Sequence, residues 1–491
     1  MSRFRRSEPV TPMELDVVVI GSGPGGYKAA LTAAQQGARV ALVEKGLAGG
    51  VCLNEGCVPK AALIRLAGLI ESANSLNGRG LVGEVRGDFP AAMAHKARVV
   101  DGISANFPVW LRRLGIRYLQ GSARLLDPRT VAVEGPDGNV TLQARRIIVA
   151  TGAIPREHPA CPADGVRILN SHHFMYQLDA LPASVLVVGG GAVGCELGYF
   201  LQQFGSRVTL VERQDHLLGG MALPARATQL LERKFLRLGT ELRLGVEVVG
   251  TRVGNDGVSV SFSDGGEGHY ERVLVVIGRR PAPSGLGLEK LGVEFDAEGF
   301  IRTSKYLETT QPGIYAVGDC KPGPMSANAA FHDARVAAFN AVRGNTLRAN
   351  YHRVPLVIDS ALQIATVGLL EERAEAAGFE PEFARANFMA SIKARAHNDA
   401  EGFIEVVHDD ETGQLLGGCI VGPDAGEQIH MLAAACQSDR GLWFFSDINY
   451  THPSWYEDLG NAINPHAQAI ARSGRDLFRP GIFATDVGGE D

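Results

Sequence analysis

The sequence predicts an α/β protein with two Rossmann-like dinucleotide-binding domains followed by a C-terminal α+β domain, and three observations predict it. A Val-rich strand near the start runs into a glycine cluster and an Ala-rich helix. The same unit recurs later with the same internal spacing. From about residue 351 the patterning changes to alternating short strands and helices, as an α+β domain requires.

Residues 15–20 form an apolar run of strand length. Gly21-Ser22-Gly23-Pro24-Gly25-Gly26 then opens a helix predicted over 27–36, closed by Gly37 and followed by a strand over 39–43 that ends at Glu44. The second copy has a strand over 184–188, Gly189-Gly190-Gly191, Gly194, a helix through Phe204, Gly205, a strand over 207–211 and Glu212. First glycine and terminal acid stand 23 positions apart in both copies, Gly21 to Glu44 and Gly189 to Glu212. Residues 146–151 and 273–277 read as buried strands, and an Ile-Tyr-Ala-Val strand leads into Gly318-Asp319. Residues 402–407 and 415–421 read as a hairpin around Asp410-Glu411-Thr412-Gly413.

With 491 residues the chain is long enough for roughly three domains. Hydrophobic residues at 45% and charged residues at 21% are globular proportions, and a net charge of −6 carries no nucleic-acid footprint. No segment reaches the ~18 uncharged apolar residues of a membrane span. Arg3, Arg5 and Arg6 precede Pro9 and Pro12 without an apolar signal core, so a disordered leader and a cytoplasmic protein are expected. Seven cysteines are too few and too scattered for a secreted disulfide framework. Only Cys52 and Cys57 are close in sequence, and no second Cys/His pair completes a zinc site, so no metal is expected.

Both glycine units fit the fingerprint in which backbone N–H groups approach a pyrophosphate at a helix N-terminus and an acid binds ribose hydroxyls. A single copy could be a tight turn; two copies, each between strand and helix and each with its acid, point to two dinucleotides. FAD on Gly21, Gly23, Gly26 and Glu44 and a nicotinamide nucleotide on Gly189, Gly191, Gly194 and Glu212 are the expected couple. Glu212 would repel a 2′-phosphate and favours NAD, while the adjacent Arg213 works against that preference.

On a regular helix, residues five apart have Cα atoms roughly 8–9 Å apart, beyond disulfide reach. A Cys52–Cys57 bond therefore needs a broken helix, which Gly56, Pro59 and Gly49-Gly50 can supply; two buried, unpaired cysteines also satisfy the spacing. Near the other end, His452 and Glu457 share one turn-rich segment. A thiolate is the attacking species in disulfide exchange, so an acid-oriented base would serve it, although such a pair is ordinarily structural.

With both fingerprints, Cys52-Leu53-Asn54-Glu55-Gly56-Cys57 and the terminal His-Glu in this order, the chain resembles the pyridine nucleotide-disulfide oxidoreductases, and among them the lipoamide dehydrogenases, over about residues 14–465. Further matching stretches are Ala150-Thr151-Gly152, Val276-Ile277-Gly278-Arg279-Arg280-Pro281, Ile314 through Asp319, Gly323-Pro324-Met325 and Leu416-Gly417-Gly418. The resemblance implies an FAD domain at 14–165 and 282–350, an NAD domain at 166–281, an interface domain at 351–470 forming a homodimer, and a tail at 471–491. It implies Cys52 as interchange thiol, Cys57 as the thiolate beside the flavin, His452 as base and Glu457 as its orienting acid, with the active site shared between subunits. Thr151, Gly152, Asp319, Met325 and Ala327 would join the FAD site, and Glu196 and Gly278 the nicotinamide side, with Glu196 near the reactive face of the flavin. The implied reaction moves two electrons between a lipoyl-type dithiol and NAD.

Three departures stand out against that pattern. The lysine expected two residues after the motif proline is Ala61, with Lys60 one place earlier, so Glu196 is expected to be unpaired, neutral or compensated differently, unless Lys60 reaches the same site. Asn328-Ala329 replaces a His-Lys pair, and Tyr450 replaces a histidine. Together they suggest a specialised relative acting on a lipoylated or other disulfide-bearing protein. The last cysteine is Cys436, against reductases with an extra C-terminal pair, and Glu212 stands against a glutathione reductase-like, NADP-dependent alternative. A flavoprotein without disulfide turnover would need neither the cysteine pair nor the His-Glu pair. Phe478, Arg479, Ile482 and Phe483 could dock, although a disordered tail is the simpler expectation.

Overall fold

A computed structural model describes residues 14–438 and 440–473. The basic start and the tail with Phe478, Arg479, Ile482 and Phe483 lie outside the described residues.

The predicted α/β class is borne out in three main sheets. The first has seven strands, with Arg117–Gln120, Val40–Glu44, Glu14–Ile20 and Gly138–Val149 side by side and Ile314–Ala316 paired to the last of these, all parallel. Ser122–Asp127 and Thr130–Gly135 extend it as an antiparallel meander. Helix Pro24–Gln35 covers this sheet and packs Ala29, Ala30 and Ala33 against the Ala-rich helix Ala327–Arg343. Small side chains on both let the backbones approach, while Val17, Val19 and Ile148 fill the layer beneath.

The second sheet has five parallel strands in the order Glu241–Leu244, Arg207–Glu212, Ser184–Val188, Arg272–Val275, Ile168–Asn170. Its helix Ala192–Phe204 is buried on nearly every face, because it is sandwiched between this sheet and helix Cys57–Ser75 of the first unit. Parallel strands covered on both faces account for the continuous apolar runs in the sequence.

The strand Ser184–Val188 lies where the pattern puts it. Residues 146–151 and 273–277 were expected as strands, and both leave their sheets early, at Val149 and Val275. There the carbonyls of Ala150 and Val276 run beside Gly21 and Gly189, where a Cβ would stand 2.3 and 2.7 Å from those oxygens.

The third sheet is five-stranded and antiparallel: Leu356–Asp359, Gln363–Gly368, Leu415–Val421, Phe403–Asp409, Pro381–Asn387. It contains the expected hairpin and carries helices Ala425–Cys436 and Glu457–Ser473. No helix among the described residues is long and apolar enough to cross a membrane.

Candidate active site

Each glycine unit forms a helix start with unclaimed backbone donors. Helices Pro24–Gln35 and Ala192–Phe204 begin at Gly23 and Gly191 without a side-chain cap, leaving their first N–H groups for an anion. A Cβ on Gly26 would lie 1.8 Å from the Gly21 carbonyl oxygen, and one on Gly194 1.9 Å from that of Gly189, so only glycine lets helix and strand meet. At Gly23 and Gly191 a Cβ would meet nothing within 4 Å, which is the open side a pyrophosphate needs.

Both terminal acids brace these loops. Glu44 accepts from Ser22 N at 2.7 Å, Ser22 Oγ at 2.8 Å and Gly46 N at 2.7 Å. A carboxylate has about four acceptor positions, so one remains for a ribose hydroxyl. Glu212 accepts from Gly190 N at 2.6 Å and Gln214 N at 3.0 Å, leaving two.

Around the first unit, the Thr151 hydroxyl is buried without a hydrogen-bond partner, and Gly152 follows it in a left-handed turn. Asp319 is part-buried just after strand Ile314–Ala316; burial raises its carboxyl above the usual range, while Arg279 and Lys321 pull it down. Met325 is exposed and Ala327 opens helix Ala327–Arg343. Gly278 sits in a left-handed turn just before Arg279. An orphaned hydroxyl, a part-buried carboxylate and an uncapped helix start suit the ribityl and pyrophosphate of FAD.

The cysteines straddle a helix break. Helix Gly50–Asn54 ends at Glu55, and helix Cys57–Ser75 starts after Gly56, so the two thiols come together as no regular helix would allow. The short helix is seated on the first glycine loop. Gly49 N donates to Ser22 Oγ at 2.9 Å, and a Cβ on Gly50 would be 2.8 Å from Gly23 Cα. Buried Asn54 holds the break from inside, donating to Ala48 O at 3.0 Å and Gly50 O at 2.8 Å. Sequence reasoning gave Asn54 no role, although a polar residue inside an otherwise apolar turn is the signal that marks it.

Cys52 is partly buried and Cys57 exposed. Cys57 is brought down to about 7, first by the hydrogen bond from the Cys52 thiol and then by Lys60, against the loss of surrounding water. Cys52 is pushed up, chiefly by that same hydrogen bond and by burial. The attacking form is a thiolate, so the pair is asymmetric, with Cys57 the one ready to carry charge.

Of the outcomes open for Glu196, the structure takes the one in which Lys60 reaches it and not those in which it stands unpaired: Lys60 Nζ forms an ion pair with Glu196 Oε2. Lys60, Leu63, Ile64 and Ala67 form one inward stripe of helix Cys57–Ser75, at the i, i+3, i+4, i+7 spacing, whereas Ala61 faces out. In this register the residue before Ala61 points at helix Ala192–Phe204. Burial raises the Glu196 carboxyl, and Lys60 opposes that rise. Of the other two departures, Asn328 is exposed and donates to Pro355 O at 3.1 Å, and Tyr450 OH donates to Phe445 O at 2.7 Å.

His452 Nδ1 lies 2.9 Å from Glu457 Oε2. In the tautomer that donates Nδ1–H to this carboxylate, Nε2 is left as an acceptor. Glu457 opens helix Glu457–Ser473, while the preceding turn is anchored by Trp455 against Phe388 and by Tyr456 OH donating to Gln428 O at 2.6 Å. His452 is exposed, and no hydrogen bond or ion pair joins it to either cysteine among the described residues.

Two dinucleotide loops, the first of them seating a thiol pair whose Cys57 pKa is lowered, define a flavin- and nicotinamide-dependent disulfide oxidoreductase. The chain belongs to the pyridine nucleotide-disulphide oxidoreductase family: the family model matches residues 15–334 and that of its dimerisation domain residues 354–463. The cofactors of this family are FAD and NAD. The chain is similar to a dihydrolipoyl dehydrogenase of Chlorobaculum tepidum, 37% identical over 93% of this chain and 98% of that protein. A dihydrolipoyl dehydrogenase of Thermus scotoductus is 38% identical with the same coverage. Among solved structures, LpdA from Mycobacterium tuberculosis matches with a TM-score of 0.85 at 27% identity, over 92% of this chain and 99% of that one.

Proposed function

We propose that this chain transfers two electrons between a lipoyl-type dithiol and NAD, with Cys52 and Cys57 as the disulfide that meets the substrate. The observation that carries the reading is the thiol contact across the break at Gly56, with Cys57 held near neutrality at about 7. In a homodimer, His452 and Glu457 of one subunit complete the active site of the other; the exposed Nε2 and the matched dimerisation domain support this.

The proposed sequence starts from the oxidised pair. His452 Nε2 removes a proton from one substrate thiol, and that sulfur attacks Cys52, releasing Cys57 as a thiolate. The second substrate sulfur then attacks the mixed disulfide, its proton passing to the departing Cys52 sulfur, which frees Cys52 as a thiol and leaves an oxidised, closed substrate disulfide. Lys60 steadies the Cys57 charge and Glu457 holds the imidazole. FAD, which Gly21, Gly23, Gly26, Glu44, Thr151 and Asp319 would hold, would supply the two-electron carrier between these thiols and NAD. The domains proposed for these parts are 14–165 with 282–350 for FAD, 166–281 for NAD and 351–470 for dimerisation. Sparse and scattered cysteines fit a cytoplasmic location.

Stopped-flow oxidation of free dihydrolipoamide, set beside a panel of lipoylated proteins, tests the reading. Reduction of NAD by both, with a preference for one protein, supports a specialised lipoyl enzyme. Equal rates throughout remove the specialisation, and no reaction with any dithiol removes the function.

A further inference from the structure

Behind the first nucleotide unit lies an ion pair that none of the steps above uses. Lys321 Nζ stands 3.0 Å from Asp333 Oδ2, and the two side chains are 3% and 1% exposed. Lysine and aspartate are almost never buried so completely unless something holds them. Three segments meet here. Lys321 follows the turn Gly318–Cys320, Asp333 stands on helix Ala327–Arg343, and Tyr351 lies in the turn Tyr351–Arg353 that leads into the third sheet. Besides Asp333, Lys321 Nζ donates to Tyr351 OH at 2.6 Å and to Pro322 O at 3.0 Å, which uses all three ammonium protons. Tyr351 OH in turn donates to Asp333 Oδ1 at 2.7 Å, and the Gly318 N–H donates to Asp333 Oδ2 at 3.0 Å. Burial pushes the Tyr351 hydroxyl up, so it keeps the proton it donates.

The chain held by this network lies against the first unit. Strand Ile314–Ala316 runs parallel to the end of strand Gly138–Val149, and beyond it Val317 N donates to Val149 O at 2.9 Å. Thr151 and Gly152 follow one strand, Gly318 and Asp319 the other. A Cβ on Gly25, in the first turn of helix Pro24–Gln35, would lie 3.1 Å from Val317 Cγ2, so this turn abuts the open helix start. On the other side a Cβ on Gly323 would stand 3.1 Å from Lys321 Nζ, so the loop through Gly323-Pro324-Met325 is wrapped around the ammonium.

We propose that Lys321, Asp333 and Tyr351 are positioning residues which hold the stretch from Gly318 to Met325 in its FAD-binding shape before the cofactor arrives. This inference rests on FAD occupying the first nucleotide unit.

Replacing a buried ion pair by apolar side chains is often neutral or stabilising, so general stability is a poor reason for one placed this deep. Direction is the better reason. Gly318 holds a left-handed φ of 69°, and the Asp333 carboxylate pins the N–H of that strained turn just before Asp319. A binding segment already in its bound shape loses less freedom when its ligand arrives. Without the triad, FAD itself has to order the segment, and affinity falls. Because Tyr351 stands at the entrance to the third sheet, docking of the C-terminal domain becomes a condition for tight FAD binding.

The test strips FAD from the full chain and follows its rebinding by quenching of flavin fluorescence, beside melting of the apoprotein and calorimetric binding of NAD. Tyr351→Phe removes the bridging hydroxyl and leaves the ion pair; its Kd for FAD should rise about tenfold, the size of one lost charge-assisted hydrogen bond. Lys321→Met with Asp333→Leu exchanges the pair for apolar side chains and should raise Kd by about a hundredfold with slower association, two such bonds being lost. Affinity for NAD should stay at the wild-type level in both. Wild-type FAD affinity in these variants, even with a lower apoprotein melting temperature, overturns the proposal, and so does equal weakening of FAD and NAD. Wild-type protein that binds no FAD would sink the proposed function as well. Loss of FAD affinity as expected, with no reaction towards dithiols in the wild type, would count against the proposed function alone.

Discussion

Lys60→Met removes the ammonium from the Glu196 pair while keeping a long apolar stem on the inward stripe. The side chains of Lys60 and Glu196 are 19% and 8% exposed, so the charges are largely withdrawn from water. Breaking such a pair from one side costs about 3–5 kcal/mol. Glu196 escapes part of that by taking up a proton while keeping the Asp359 N–H, which puts the loss near ~3 kcal/mol at neutral pH. For a folding unit of this size that is a fall of roughly 6–12 °C in the melting temperature. Glu196→Gln should cost only about 1 kcal/mol, because the freed ammonium is the more exposed partner and can turn to solvent.

The pH dependence follows from the direction of the Glu196 shift. Its folded carboxyl lies above the ordinary value through burial, so its contribution to stability is present below the unfolded pKa and lost as pH rises through the folded one. Without Lys60 the folded value climbs further, and the deficit of Lys60→Met should widen from about pH 5.5 to about pH 8.5. Melting curves of the FAD-loaded protein, followed by flavin release, read both effects. An equal deficit at both pH values, or a Glu196→Gln loss as large as that of Lys60→Met, would refute the reasoning.

Three further outcomes are expected. Gly194→Ala places its Cβ against the Gly189 carbonyl oxygen at 1.9 Å and should unfold the second nucleotide unit, seen as lost soluble yield. Gly191→Ala meets nothing within 4 Å and should fold, with KM for NAD raised roughly tenfold as the pyrophosphate loses room. His452→Gln should lower kcat with dithiol by about 10²- to 10⁴-fold while FAD content stays at the wild-type level, as steady-state rates and absorbance would show. In reduced Cys52→Ser enzyme, alkylation of Cys57 should rise through a pH of about 7, because its thiol is lowered and the thiolate dominates above that value; a rise only near the ordinary thiol range would contradict the assigned environment.

The parts of the fold visible in the sequence are those written in local patterns. Two strand–glycine–helix units, each closed by an acid, needed only short-range spacing, and their strands formed as the apolar runs indicate. His452 and Glu457 sit five residues apart in one turn, so their contact was legible. The cysteine contact was legible as a requirement for a helix break, which Gly56 meets.

Lys60 and Glu196 are 136 positions apart, and their meeting depends on helix register and the docking of two domains. The inward stripe through Leu63, Ile64 and Ala67 places Lys60 on the buried face, whereas alignment to the usual lysine position points to Ala61. Asp359 carries no sequence signal, since only the hairpin turn at Ser360 brings it to Glu196.

The proposed function requires Cys52 and Cys57 to form a disulfide in electronic contact with the flavin. Anaerobic titration of the oxidised holoenzyme with dithionite tests it most directly. In the first two-electron step the account predicts a long-wavelength thiolate-to-flavin absorption with the flavin still oxidised, lost in Cys57→Ser. Bleaching of the flavin in that first step, without the band and identically in wild type and Cys57→Ser, would contradict it.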